Sequence, residues 1–237
     1  MGVNYFIFNG ESSLDHGAYI GGQNTFDAPK RDIIKVKIPG RNGDLVYDNG
    51  RWLNIEVPYN MVIMKDFVNN TNEIRSWLTS PVGYCRLEDT YNPDFFRMAR
   101  LADEIKFTTS AFNKTGKAQI IFDCKPQRWL KSGEQKISVQ NGGSIYNPTR
   151  YSSAPLIKVT CNGGGVLSVG DYTVTISNVS TYINIDSDIQ DCYNENASMN
   201  ANVVLSNGFP LLNSGSTIIS WTGDISAVEI IGRWYTI

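Results

Sequence analysis

The sequence predicts a mainly β protein with one helix, arranged as two domains that meet near residue 133. Three observations lead there. Short runs of β-branched and aromatic residues, bounded by Gly, Pro, Asn or Asp, recur along the whole chain. One stretch, Asp66 to Ser80, carries apolar residues at helical spacing. After Trp129 the composition changes, charge thins out, and Ser, Thr, Asn and Gly take over.

Taken in order, Val3 to Phe8 opens the first domain as a strand, and Asp32 to Ile38 and Arg51 to Tyr59 follow. Between these two lies Pro39-Gly40-Arg41-Asn42-Gly43-Asp44-Leu45, where Asn-Gly supplies positive φ angles and turns the chain back. In Asp66 to Ser80 the side chains of Phe67, Ile74, Trp77 and Leu78 form one apolar stripe, with Asn69, Asn70, Asn72, Glu73 and Arg75 facing elsewhere. Trp77 is read as core, and Pro81 ends the helix. Gly83 to Asp89 alternates Tyr84, Arg86 and Glu88 with Cys85, Leu87 and Asp89, which places charge where solvent or a partner must receive it. Ala102 to Thr108 and Lys117 to Cys124 complete the domain.

The polar stretch Lys131-Ser132-Gly133-Glu134 marks the boundary, so the domains are residues 1–132 and 133–237. Beyond it strands are expected at Gln135 to Val139, Pro155 to Cys161, Val166 to Val169, Tyr172 to Ser177, Thr181 to Asp186, Ala201 to Leu205, Ser216 to Trp221 and Ile225 to Trp234. Turns are expected at Asn162-Gly163-Gly164-Gly165 and Gly170-Asp171, and the pattern as a whole describes an antiparallel sandwich.

With 237 residues the chain can bury a real core in each half. Its formal net charge of -2 argues against a binder of nucleic acid or anionic membranes held by excess positive charge. No stretch approaches the roughly 20 apolar residues of a membrane-spanning helix, and the basic-then-apolar layout of a secretory signal is missing. The expectation is a soluble chain made in a cytoplasm, without membrane insertion. Cys85, Cys124, Cys161 and Cys192 are irregularly spaced and only one histidine accompanies them, so no zinc site is expected. They read as buried thiols, with a disulfide as the alternative.

No catalytic, cofactor-binding or metal-binding residue is assigned. His16 has Ser12, Ser13 and Asp15 beside it, but adjacent side chains do not converge into a triad. The acidic pairs Glu88-Asp89 and Asp186-Ser187-Asp188 could serve glycoside hydrolysis or calcium, yet solvated turns explain them as well. Gly163-Gly164-Gly165 lacks the Lys-Ser or Lys-Thr of a phosphate loop and reads as a wide hairpin turn.

One ordered set of passages points further. It runs Gly40-Arg41-Asn42-Gly43-Asp44-Leu45, Asp48-Asn49-Gly50, Glu56-Val57-Pro58-Tyr59, Trp77-Leu78, Gly83 to Tyr91, Phe96-Arg97-Met98-Ala99 and Ile121 to Pro126. Downstream it continues through Phe209-Pro210-Leu211-Leu212, Gly215, Ile218, Trp221-Thr222-Gly223-Asp224 and Arg233-Trp234. In that order the passages resemble the siphophage distal tail protein family, Dit, a phage tail-tip or baseplate hub component.

The resemblance implies a first domain that forms a belt in a hexameric ring and a second, galectin-like or carbohydrate-binding-module-like β-sandwich that projects outward. It implies a virion structural protein at the distal end of a long non-contractile tail, not an enzyme and without cofactor. Its partners would be itself, the tail tube protein, a tail-associated lysin-like tail-tip protein and, at the outer domain, a receptor-binding protein or a cell-surface glycan. DNA would pass the channel without specific binding, which calls for an acidic or neutral lining. The Gly40 to Leu45 hairpin and the strand with Arg86, Glu88 and Asp89 would be the contact surfaces. The alternative is a tail-associated carbohydrate-binding module acting in host recognition, with Trp221, Trp234, Tyr172, Tyr182 and Tyr193 as stacking candidates. Asn147-Pro148-Thr149-Arg150 lacks the histidine of a galectin sugar site, and the aromatics are read as core or interface residues. A third class is a glycan-cleaving enzyme built on an acidic pair.

Overall fold

The computed structural model describes residues 2–22, 26–195 and 197–237. The described chain is mainly β with one α-helix. It divides between Arg128 and Trp129 into two compact units.

The first unit contains β1 (Phe6–Phe8), β2 (Glu11–Ser12), β3 (Ala18–Gly21), β4 (Arg31–Val36), β5 (Leu45–Trp52), β6 (Ile55–Ile63), α1 (Phe67–Thr79), β7 (Cys85–Asp89), β8 (Phe95–Leu101), β9 (Lys106–Ser110) and β10 (Thr115–Cys124). Its main sheet is antiparallel in the order β2-β1-β7-β8-β10-β6-β3, with β9 beside the first half of β10. A bridge between Asn4 and Ile20 brings the chain before β1 against β3, so the two ends of the sheet meet and the sheet curls around its core. Alternation drives the burial. In β6, Ile55, Val57, Tyr59, Met61 and Ile63 face inward while Glu56, Asn60 and Val62 face out. Among the described residues β3 pairs with Asn60 to Ile63, and Pro58 pairs with Ile121 of β10.

α1 closes the core with the expected stripe, Phe67, Ile74, Trp77 and Leu78, joined by Thr71. The helix stops before Pro81, as the sequence predicts. Phe6 stacks between Trp77 at 5.5 Å and Tyr59 at 5.3 Å, and the Trp77 indole N–H donates to the Phe8 carbonyl at 3.2 Å. Burying one such ring removes enough apolar surface to stabilise the unit by about 1.5–3 kcal/mol.

The division falls within β11 (Arg128–Leu130), so the second unit opens with Trp129 and Leu130, the Leu130 amide donating to the Trp234 carbonyl, and a 3-10 turn, Lys131–Glu134. The expected boundary stretch therefore belongs to this unit, with Gly133 buried directly against Trp234. There follow β12 (Lys136–Val139), β13 (Gly143–Asn147), β14 (Leu156–Val169), β15 (Tyr172–Val179), β16 (Tyr182–Asp186), β17 (Asp191–Asn194), β18 (Ala197–Ser198), β19 (Val203–Ser206), β20 (Gly215–Ile231) and β21 (Tyr235–Thr236).

Two long strands organise it. β14 and β20 pair from Leu156↔Ile231 to Val169↔Ile219, with register shifts between Thr160 and Gly165. On one side of that irregularity their neighbours are β12 and β16, and on the other β13 and β15. Inward residues of both halves, among them Ile157, Ile183 and Ile230 from one and Leu167, Val174 and Ile219 from the other, share one core. One pair of strands thus bends over and contributes to two facing layers.

The glycine cluster is the bend. The sequence places a hairpin turn at Asn162 to Gly165, but the chain stays in β14 there, and the expected strands before and after are one. A Cβ on Gly164 would lie 2.5 Å from the Ile176 carbonyl oxygen, and one on Gly223 would lie 2.7 Å from the Gly164 oxygen. Backbones approach more closely at this irregularity than any side chain allows. The expected strands Ser216 to Trp221 and Ile225 to Trp234 likewise merge into one strand, β20, which ends at Ile231 and is bulged opposite the same point.

Candidate assembly surfaces

β4 and β5 form a two-stranded sheet of their own, apart from the core. Ile33, Ile34, Val36, Val46 and Tyr47 favour extended backbone, and the register pairs Val36 with Leu45 and Ile34 with Tyr47. The expected turn lies between these strands, with Gly40 and Gly43 both at φ 80, but the returning strand starts at Leu45 rather than Arg51. A bulge sits at Asp48-Asn49-Gly50, where the Asp48 carboxylate accepts the Gly50 N–H at 2.8 Å and Gly50 takes φ 76.

Ion pairs cross the base of this hairpin. Arg31 Nε donates to both Asp48 oxygens, at 2.8 and 3.1 Å, and Arg51 Nε donates to Asp32 at 2.6 Å. The Arg51 hydrogen bond, then that of Asn49, holds the Asp32 carboxyl below its ordinary pKa, and Arg31 followed by the Gly50 N–H does the same for Asp48. Exposed pairs of this kind add little to stability.

Residues opposite one another in an antiparallel pair share a face, so Ile34, Val36, Leu45 and Tyr47 make one continuous apolar surface. They are 51%, 46%, 46% and 65% exposed. An isolated two-stranded ribbon is marginal in water, and one that shows its apolar face to solvent lacks the packing that stabilises β6. This face was missed from the sequence because the returning strand was placed after it. Leu45-Val46-Tyr47 opposite Ile34-Lys35-Val36 was the available signal.

The charged strand behaves differently. β7 lies inside the sheet between β1 and β8. Arg86 pairs with Glu88 and stacks 3.7 Å over the Phe96 ring. Asp89 accepts the Tyr59 hydroxyl at 2.6 Å and the Asn92 amide at 2.8 Å. Burial first, then the Asp89 charge, keeps the Tyr59 phenol far above its ordinary pKa. The charges expected to meet a neighbouring copy thus have partners within their own chain.

The residues examined for catalysis do not converge. His16 stacks on Trp77 at 4.5 Å with Nε2 3.2 Å from Glu11. Ser13 Oγ instead donates to the Ala18 carbonyl, and Asp15 accepts the Ser12 amide. Asp186 is buried and takes both Arg233 guanidinium nitrogens, at 2.6 and 2.8 Å, so it does not form an open pair with Asp188. Among the sugar-stacking candidates, Trp234 is core, Trp221 and Tyr172 pack on its edge, and Tyr182 lies under the Lys158 ammonium at 4.4 Å. Asn147 is buried, its amide donating to the Tyr151 and Leu212 carbonyls and its oxygen accepting from Thr149. Among the described residues no group of His, Cys, Asp or Glu could hold a metal ion, and no helix is long and apolar enough to cross a membrane. The cysteines are unpaired, with Cys124, Cys161 and Cys192 buried.

Comparison with solved structures places this geometry. Over 100% of both chains it superposes on SPP1 Dit, described as a paradigm of the hub adsorption apparatus in phages infecting Gram-positive bacteria, with a TM-score of 0.77 at 12% identity. The chain has the Dit fold. It is also similar to chains of the phage P2 baseplate in its activated conformation, with calcium at a TM-score of 0.53 and with strontium at 0.51, each at 10% identity over 97% of both chains. By sequence, no family model and no curated protein matches the chain.

Proposed function

We propose that the chain is a structural hub protein at the distal end of a long, non-contractile phage tail, joining the tail tube to the tail tip. Six copies close a ring through their first units, the DNA channel runs through its centre, and the second unit faces outward. The observation that carries this reading is the β4–β5 arm, an amphipathic ribbon whose apolar face is in solvent, on a chain with the Dit fold from end to end. Such a face calls for cover by another chain, and a ring of identical copies supplies it at every junction. The internal partners of Arg86, Glu88 and Asp89 favour the arm over β7 as the contact. The carbohydrate-binding alternative has no comparable support, since Trp234 is core and Trp221 and Tyr172 pack against that core.

Static light scattering and negative-stain imaging of the purified chain, alone and with the tail-tip protein, test this. Rings are expected for the natural sequence, and Tyr47→Asp with Ile34→Asp should give monomers of unchanged circular dichroism. A monomer that persists across micromolar concentrations with the tail-tip protein present would overturn the reading.

A further inference from the structure

Arg97 points to the core side of its sheet. In the β7–β8 pair it lies opposite Leu87, and residues opposite one another share a face. Leu87 is 2% exposed, and Ala99, two residues further along β8 and so on the same side, is fully buried. The Arg97 Nη1 is itself buried and meets no hydrogen-bond partner among the described residues. Burial pulls the Arg97 pKa down from its ordinary value, yet a guanidinium stays charged at any pH a protein survives. A buried cation without a counter-charge is among the costliest arrangements a core can hold.

A small cavity lies beside it. Arg97 lines a space of about 20 Å³ with Tyr59, Asp89, Asn92, Phe95 and Arg128, all of them in the first unit. That is room for one water-sized group. The charged part of the lining is two arginines and one carboxylate. The carboxylate is already engaged, since one Asp89 oxygen accepts the Tyr59 hydroxyl at 2.6 Å and the other accepts the Asn92 amide at 2.8 Å. Arg128 lies over the Phe95 ring at 5.1 Å, and its like charge adds to the lowering at Arg97. One positive charge is left over.

We propose that this pocket binds one carboxylate, with one oxygen on Arg97 Nη1 and the other toward the Arg128 guanidinium. Planar guanidinium donors suit paired carboxylate oxygens, and a single negative charge balances the lining. Sulfate or phosphate, with four oxygens, exceeds the space. The pocket is complete within one copy of the chain. A free small acid and an Asp or Glu side chain of a second copy present the same group to it.

Sodium formate is the probe, exchanged for sodium sulfate at constant ionic strength while calorimetry follows the melting temperature. The natural chain should gain roughly 5 °C and saturate by about 0.2 M formate. Arg97→Met reports any general salt effect. It should show no saturable gain, and in sulfate it should melt at or above the natural chain because its buried charge is gone. Arg128→Gln keeps the buried group and should need about fivefold more formate to saturate. With a free acid as occupant, the gain is independent of protein concentration. With a carboxylate of a second copy, melting in sulfate rises with protein concentration in the natural chain and not in Arg97→Met. Equal formate responses in the natural chain and Arg97→Met, without that concentration dependence, overturn the proposal. So does an Arg97→Met chain that loses the same stability in both salts, which would make Arg97 a packing residue only. If Arg97→Met fails to fold, an unshifted saturation curve for Arg128→Gln overturns it instead.

Discussion

Gly164→Ala puts the bend in the second unit to the test. Gly164 lies in β14 with a negative φ, so the new methyl group meets no conformational penalty of the left-handed kind. It does meet the Ile176 carbonyl oxygen at 2.5 Å, the Ser177 Cα at 3.2 Å and the Ile176 carbon at 3.4 Å, all of them backbone. A flexible side chain could step aside, but this backbone is held by β14 on one side and β19 on the other. Relieving the overlap means shifting a strand, for which overpacking costs of about 1–3 kcal/mol apply, here at the upper end. The lower chain entropy of alanine in the unfolded state returns about 0.4–1 kcal/mol. A net loss of about 2 kcal/mol lowers the melting temperature of a unit this size by roughly 8–15 °C. Differential scanning calorimetry reads it, with Gly21→Ala in β3 as control, since nothing lies within 4 Å of a Cβ there. The control should melt at or slightly above the natural chain. An unchanged melting temperature for Gly164→Ala, or a control that is the worse of the two, would refute the close-approach argument.

Other outcomes follow from the same packing. Arg233→Met leaves the buried Asp186 carboxylate alone and should cost the second unit about 2–3 kcal/mol in urea denaturation, below the value for a fully buried pair because Arg233 is partly exposed. Burial by itself would raise the Asp186 pKa, but the hydrogen bonds and charge of Arg233 hold it below 3.8. A lowered folded-state value means that the pair's stabilisation is present above about pH 3.8 and lost as pH falls through the folded value, so the variant should show a flatter acid dependence. Tyr59→Phe removes the bond to Asp89 and should cost about 1–3 kcal/mol, and in the natural chain ultraviolet titration should find one phenol that ionises only on unfolding. Burial pushes the Cys124 thiol up to about 12 and Cys192 up to about 11, so a thiol reagent at pH 8 should label Cys85 quickly and the others only when the chain opens.

The single helix was legible because its stripe is long and its stop is a proline. Phe67, Ile74, Trp77 and Leu78 all reached the core. β8 was not read as a strand because Phe95 to Leu101 is partly covered on both faces, with Arg97 and Arg100 among its apolar residues, so no clean alternation survives. Gly163 to Gly165 was misread because a local pattern cannot distinguish glycine that turns a chain from glycine that lets two backbones touch. Of the candidate assembly surface, the Gly40 to Leu45 turn was visible. The apolar face beside it was not, and the charges of β7 looked available only because Tyr59 and Phe96 lie far away in sequence.

By itself the amino-acid order determined the alternation of the strands, the helical stripe, the positions where backbone could reverse, and the ordered passages that resemble Dit. Tertiary structure decided which apolar runs are covered. Ile34, Val36, Leu45 and Tyr47 are as hydrophobic and as regularly spaced as Val57, Tyr59 and Met61, yet one set lies under α1 and the other in water. Periodicity is a property of neighbouring residues along the backbone. Burial depends on what distant segments bring against them, and among the described residues none covers this face of the arm.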